Sequence, residues 1–119
     1  MPDLTDLLDE IQDRADRATE GPWSWASHVT VDGDSWAVFD GSDHALASNR
    51  DGWGADASFI AHAREDVPRL VAALRGVLRQ ADALDELAAS PIGAGVDGAL
   101  RLAARSMRRA ITKALEVES

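Results

Sequence analysis

With 119 residues, 21 of them acidic and 12 basic, and no cysteine, the chain suits one domain without disulfides, zinc–thiolate sites or thiol catalysis. The formal charge of −9 lies in the first half, because residues 1–58 hold 13 acids and 3 bases whereas residues 59–119 hold 8 acids and 9 bases. Since nucleic acids and anionic membranes are bound through Lys and Arg, this charge disfavours both as direct partners.

The first predicted element is an amphipathic helix over residues 3–19. Its apolar positions recur at steps of three and four, with acids and arginines between them: Leu4, Leu7, Leu8, Ile11, Ala15 and Ala18. Asp3 suits the N-cap position. The helix is expected to stop at Gly21-Pro22, because Gly accepts a left-handed conformation after a helix and Pro cannot continue the hydrogen-bond ladder.

A period of two begins at Trp23 and predicts a small three-stranded antiparallel meander over residues 23–49. Asp32-Gly33-Asp34 predicts the first hairpin turn. The second and third strands are expected at 35–39 and 44–48. Trp23 and Trp25 have the same parity in the first strand, so both are expected on the buried face.

The second half predicts a long antiparallel helical hairpin, with helices over 55–89 and 96–117 around a turn at 90–95. Apolar residues recur at heptad spacing through both helices: Ile60, Ala63, Val67, Leu70, Leu74, Val77, Ala81, Leu84 and Ala88, then Val96, Leu100, Ala103, Met107, Ala110, Ala114 and Val117. Asp56 is expected to cap the first helix. Asp66 with Pro68 is expected to restart that helix, with Asp66 as a second cap and a bend near residue 65.

These elements together predict a single α+β domain over residues 1–119. Many positions along the two helical seams are alanine, so the helices can approach closely but bury little apolar area. The hairpin is therefore expected to need a further surface, either the sheet or another subunit. A homodimer or higher oligomer joined through the hairpin is the partner that this pattern favours.

Asp40, Asp43 and His44 are the best candidates for acid–base or hard-metal chemistry, because three such groups fall within five residues. The spacing matches no zinc, calcium or metalloprotease motif, and acids beside a turn are typical turn formers. We therefore predict no catalytic residue, no metal site and no cofactor. A metal-dependent enzyme using these three residues is kept as an alternative, which metal analysis of the purified protein tests.

Candidate ligand-binding residues come from the tryptophans and from the last helix. All four tryptophans lie within 31 residues, and Trp53, in a polar Gly-rich loop, is the best candidate for a stacking platform. On the last helix Arg105, Arg108 and Arg109 have no obvious acidic neighbours and suit an anion. Arg101 is expected opposite Leu84, within reach of Asp82 or Asp85. The alternatives are simple packing of the tryptophans, a surface ion pair for Arg101, and contact of the other three arginines with the acidic N-terminal helix of this or a second subunit.

Two motifs carry a family resemblance. Residues 18–23 read A-T-E-G-P-W and residues 56–68 read D-A-S-F-I-A-H-A-R-E-D-V-P, which resembles the A-T-x-G-P-W and D-A-x-F-I-A-x-A-R-x-D-V-P elements of the Ead/Ea22-like phage proteins. The resemblance covers residues 1–80 and leaves out the hairpin's last helix. That family has no agreed activity, so the resemblance implies a phage or prophage origin rather than a mechanism. Its motif positions suit structural roles here: Gly21, Pro22, Trp23, Asp56, Phe59, Ile60, Asp66 and Pro68.

The function expected from these observations is that of a non-enzymatic phage-type accessory protein. It would act by binding a host protein or a small nucleotide, as in sequestration of a defence signal. The alternative is an acidic mimic of DNA, based on the charge of residues 1–58; salt-sensitive capture of a DNA-binding protein would favour it. The acidic start of the chain and the lack of an apolar run of about 20 residues predict a cytoplasmic protein.

Overall fold

The computed structural model describes residues 3–30, 33–49 and 54–116. The elements are α1 (Leu4–Arg17), β1 (Ser24–Thr30), β2 (Gly33–Phe39), β3 (Ala45–Asn49), α2 (Gly54–Ala89), a 3₁₀ turn (Pro91–Gly93) and α3 (Asp97–Glu116). This order confirms the predicted α+β class. The chain forms two compact units, the N-terminal unit (Met1–Leu70) and the C-terminal unit (Val71–Ser119), and the division falls within α2.

Helix α1 begins at the predicted N-cap, where the Asp3 carboxylate accepts a hydrogen bond of 2.8 Å from the backbone N–H of Asp6. The helix ends before Gly21, because Ala18 is already extended and its N–H bonds the carbonyl of Ala15. The next carbonyl, of Thr19, is then available to side chains rather than to the helix ladder. This early end gives the connection to β1 a structural role that the predicted stop at Gly21 did not include.

The three strands form an antiparallel sheet in the order β1-β2-β3. Thr30 pairs with Gly33, so Gly33 and Asp34 belong to β2 rather than to the predicted turn. Residues 31 and 32 come between the two strands in the sequence. Those two residues lie outside the described part of the chain.

The core of the N-terminal unit lies where β2 packs on α2. Trp36 and Val38 point to one side of the sheet and meet Ala57 and Ala61, which lie one turn apart on one face of α2. The partly buried Trp23, Ala47 and Ile60 pack around this cluster. Because the helix presents alanines to the sheet, helix and strands can approach closely.

Trp25 departs from the prediction that it lies in the core. It pairs with the buried Val38 and so faces the same side of the sheet, but 38% of its surface remains exposed. Its strand is at the edge of the sheet, and its ring reaches the start of α2. A β-carbon on Gly54 would lie 2.6 Å from that ring, so the close approach depends on a glycine there.

Helix α2 runs without interruption for 36 residues and contains Pro68 in its interior. The predicted restart is therefore wrong, and Asp66 lies within the helix rather than capping it. Pro68 lacks the N–H that would bond the carbonyl of Arg64, at a cost of about 3 kcal/mol, which the helical turns on both sides outweigh. Asp56 is also not a cap: it lies in the first turn, where its charge favours the helix dipole. The bend near residue 65 stays a prediction.

In the C-terminal unit the end of α2 and α3 are joined by the Pro91–Gly93 turn. The carbonyl of Leu87 accepts two hydrogen bonds from Ser90, of 3.1 Å from its N–H and 2.7 Å from its hydroxyl. The buried residues described in this unit are all small: Val71, Ala81, Ala88, Gly93 and Ala104. Two helices with so little apolar bulk between them have a thin core.

Candidate functional site

The three residues considered for metal chemistry build the turn between β2 and β3. Oδ1 of the buried Asp40 accepts hydrogen bonds of 2.9 Å from the backbone N–H groups of Ser42 and His44. Asp43 occupies the left-handed region with φ 64°, and its N–H bonds the carbonyl of Asp40. The carboxylate of Asp40 is thus committed to holding the chain reversal.

The electrostatics of this turn agree with that structural role. The N–H of His44 lowers the pKa of Asp40 below its ordinary value of 3.8, against burial, which raises it. Nδ1 of the exposed His44 lies 3.5 Å from Oδ2 of Asp40. Among the described residues no group of three or more His, Asp or Glu side chains has a geometry suited to a metal ion.

The residues predicted to bind a ligand differ in what the structure shows of them. Trp53 lies outside the described residues. Arg108 donates hydrogen bonds of 2.7 Å from Nη1 to Asp85 and 2.6 Å from Nη2 to Asp82, which joins α3 to α2. Both bonds raise the pKa of Arg108 above its ordinary value, and the bond to Asp82 makes the larger contribution. We call this group the hairpin clamp, and it corrects the expectation that Arg108 has no acidic neighbour.

The clamp also corrects the expectation that Arg101 reaches these aspartates. Side chains of a helix lean toward its N-terminus, which for α3 is the end nearest the hairpin turn. Arg101 makes no hydrogen bond or ion pair with the described residues, and its side chain is expected to lean toward the turn, away from the aspartates. Arg108 lies two turns further along the same face and leans back onto them.

Replacing Arg108 by alanine should lower the free energy of unfolding by about 1 kcal/mol, because two charge-assisted hydrogen bonds at a partly exposed site are lost. The loss should shrink as salt is added. Urea unfolding at low and high salt measures both effects. Arg101→Ala is the matched control and should change stability by less than about 0.5 kcal/mol. Equal losses in the two variants would contradict the register of the clamp.

Arg105 and Arg109, the other predicted anion-binding residues, line a shallow depression on α3 with Arg108, Thr112 and Lys113. Arg105, Arg109 and Lys113 follow at steps of four and make no ion pair with the described residues. Like charges at this spacing repel, by about 0.2–0.5 kcal/mol per pair in exposed helices. This stripe is open to solvent on one helix and lacks the enclosing walls of a ligand site.

Within the C-terminal unit, the side of α2 opposite the clamp carries no charged residue. With 3.6 residues per turn, Asp82 and Asp85 lie to one side of the buried Ala81, and Val77 and Leu84 lie to the other. The clamp therefore marks one flank of this part of α2 as charged, and the opposite flank is uncharged and mostly apolar, with Gln80 as a polar residue on it.

The same geometry applies to α3, where Arg108 lies to one side of the buried Ala104 and Ala103 and Ala110 lie to the other. Because the clamp brings the two charged flanks together, the two apolar flanks also lie side by side. We call them, together with Val96 just before α3, the uncharged face; its helical residues are Val77, Leu84, Leu87, Ala103, Met107, Ala110 and Ala114. Val77 and Leu87 are each 38% exposed and Val96 54%.

The N-terminal unit contains a groove of about 380 Å³ between α1, the start of the sheet and α2. Its wall is mostly apolar, with two arginines among the lining residues: Ile11, Arg14, Ala15, Ala18, Trp23, Ala63, Arg64 and Val67. The volume is within the range of about 300–1,000 Å³ that is usual for small-molecule sites. We call it the Trp23 groove.

The carbonyl of Thr19, freed by the early end of α1, organises this groove. It accepts a hydrogen bond of 3.1 Å from Nε1 of Trp23 and one of 2.9 Å from Nε of Arg64. The indole and the guanidinium are thereby held by the same atom. The Nη atoms of Arg64, and the whole guanidinium of Arg14, have no hydrogen-bonding partner among the described residues.

The groove was not predicted from the sequence, although most of its lining residues lie in the two motifs. Ala18 and Trp23 come from the first of the two motifs described above, and Ala63, Arg64 and Val67 come from the second. The two motifs thus meet in space. Arg14, from neither motif, lies on α1 one turn beyond Ile11, at the border of the apolar stripe.

Comparison of the chain with protein-family models, with curated proteins and with solved structures gave no match. The resemblance to the Ead/Ea22-like proteins therefore stays a hypothesis based on the two motifs. Within the described ranges, no helix is long and apolar enough to cross a membrane.

Proposed function

We propose that the chain is a non-catalytic binding protein of the phage-accessory type, which works as a homodimer joined through the uncharged face of the hairpin. The observation that carries this proposal is the contrast within the C-terminal unit. The buried residues described in it are no larger than valine, whereas larger apolar side chains, such as Leu87, are partly exposed on the uncharged face. Exposed apolar surface of this kind is typical of protein interfaces.

A second copy is the partner that the shape of this face favours. Its α2 row is bulky, with Val77, Leu84 and Leu87, whereas its α3 row is mostly small, with Ala103, Ala110 and Ala114 beside the single long side chain of Met107. A two-fold rotation places the bulky row of one subunit on the small row of the other, so the face is complementary to itself. The product is a four-helix bundle with large residues packed into holes lined by alanine.

The test is Val77→Glu, which places a charge within the proposed interface, where it would be desolvated without a partner. Sedimentation velocity over a range of micromolar concentrations should show a dimer for the unaltered chain and a monomer for this variant. Circular dichroism of Val77→Glu should retain helical signal, because the residue lies on the surface of the hairpin. The matched control is Ala72→Glu, an exposed position on another side of α2, which should remain dimeric. A monomeric unaltered chain would refute the proposal.

A further inference from the structure

We infer that the Trp23 groove binds a nucleotide, with its base on the apolar wall near the indole and its phosphate between the guanidinium groups of Arg14 and Arg64. This deepens the proposed binding function by naming a ligand class. It relies on residues of the N-terminal unit only, whereas the proposed dimer relies on the C-terminal unit. The site also differs from the stripe of Arg105 and Arg109, which has no walls.

The charge of the groove points to an anion. The chain carries a net charge of −9 and its acids are concentrated before residue 59, yet the charged residues that line this groove are both arginines. Arg17, one turn from Arg14, is already paired with Asp13 at 2.9 Å, whereas Arg14 has no partner among the described residues. Guanidinium groups bind phosphate through paired, charge-assisted hydrogen bonds.

The positions of Arg64 and Trp23 are largely set before a ligand arrives, whereas the Arg14 side chain has no partner among the described residues that holds it. The bond from Nε of Arg64 to Thr19 fixes the plane of the guanidinium and leaves its two Nη atoms to donate elsewhere. Nε1 of Trp23 bonds the same carbonyl, so the indole is held by its polar edge while its ring lines the groove. Preorganised donors lower the entropic cost of binding.

The apolar part of the groove points to a flat ring rather than to a bare anion. Six of the eight lining residues are apolar, and one of these is a tryptophan, on which a base can stack. A simple phosphate ion would leave this wall exposed to water. A ligand that joins an aromatic ring to a phosphate satisfies both parts of the groove, and a nucleoside monophosphate is the smallest common example.

The experiment is a titration of the full chain, labelled with ¹⁵N, with adenosine monophosphate, adenosine and inorganic phosphate as separate probes. Adenosine monophosphate should shift the Nε1–H resonance of Trp23 and the Nε–H resonance of Arg64, and should bind more tightly than either fragment. Arg14→Gln should weaken this binding about tenfold, because one charge-assisted interaction is lost. Arg17→Gln, one turn away and outside the groove, is the matched control and should bind as the unaltered chain does.

Three results would overturn the inference. One is the absence of any shift at Trp23 and Arg64 with millimolar adenosine monophosphate. The second is phosphate binding as tightly as the nucleotide, which would leave only an anion site. The third is adenosine binding as tightly as its monophosphate, with Arg14→Gln unaffected, which would remove the arginines from the site. Sedimentation of the same samples reports the dimer separately, so failure of one proposal is distinguishable from failure of the other.

Discussion

Replacing Gly93 by alanine is expected to unfold the hairpin of the C-terminal unit. A β-carbon at this position would lie 2.1 Å from the carbonyl oxygen of Leu87, 2.9 Å from its carbonyl carbon and 3.1 Å from Cα of Ala88. All three atoms belong to the backbone at the end of α2, so no side chain can rotate away. The same carbonyl also accepts the two hydrogen bonds from Ser90, which any displacement would weaken. We expect a loss of about 3 kcal/mol or more in unfolding free energy.

Two other glycines supply controls, because the same substitution at them is expected to raise the stability rather than lower it. At Gly98, in α3, a β-carbon would meet no atom within 4 Å, and at Gly76, in α2, it would meet only the end of the Arg79 side chain at 3.6 Å. Alanine at either position should stabilise the protein by about 0.5–1 kcal/mol, because it favours the helix. Chemical denaturation followed by circular dichroism compares the three variants. A Gly93→Ala protein as stable as the unaltered chain would contradict the packing of the turn against α2.

The sequence predicts well those features of this fold that depend on local spacing. The amphipathic period of α1 and the alternation around Trp36 each bury one face of one element, and the type of element follows from its period alone. The heptads of α2 likewise predict a helix, although two of their positions, Leu70 and Val77, are 63% and 38% exposed. Pro68 shows the limit of a local rule. A single missing hydrogen bond predicts a helix break, but the helical turns on both sides outweigh its cost in α2.

Features that depend on how helices and strands are arranged beside one another were predicted less well. Trp25 has the parity of a core residue, but its exposure follows from the position of β1 at the sheet edge, which the pattern of one strand does not reveal. The choice of Arg108 rather than Arg101 for the clamp depends on the lean of the side chains as well as on the register of two helices. In both cases the sequence pattern identified the right kind of residue but did not identify its neighbours in space.

The Trp23 groove was beyond sequence reasoning for a related reason. It needs α1 to end early, so that the carbonyl of Thr19 faces Trp23 and Arg64, and these residues are separated by up to 45 positions along the chain. No period or motif spacing encodes that meeting. The sequence pattern favoured Trp53 instead, because a polar Gly-rich loop is where an exposed aromatic residue is expected.

The substitution Ala57→Leu is expected to destabilise the N-terminal unit by about 1–3 kcal/mol, although leucine favours helices nearly as well as alanine does. Ala57 is fully buried between α2 and the sheet, in the cluster that contains Trp36 and Val38. The additional side chain has no space there, so it must either push α2 away from the sheet or move the indole of Trp36. Both changes disturb packing that close approach of helix and sheet makes possible.

Ala55→Leu is the matched control, because Ala55 lies two residues earlier in the first turn of α2 and is exposed. This variant should unfold within about 0.5 kcal/mol of the unaltered chain. Urea unfolding followed by tryptophan fluorescence measures both variants, since Trp36 lies in the affected cluster. Equal stability of the two variants would mean that α2 is not seated on the sheet through its alanine face. Because Ala63, Arg64 and Val67 continue the same helix into the Trp23 groove, that result would also remove the basis for the position of the groove's α2 wall.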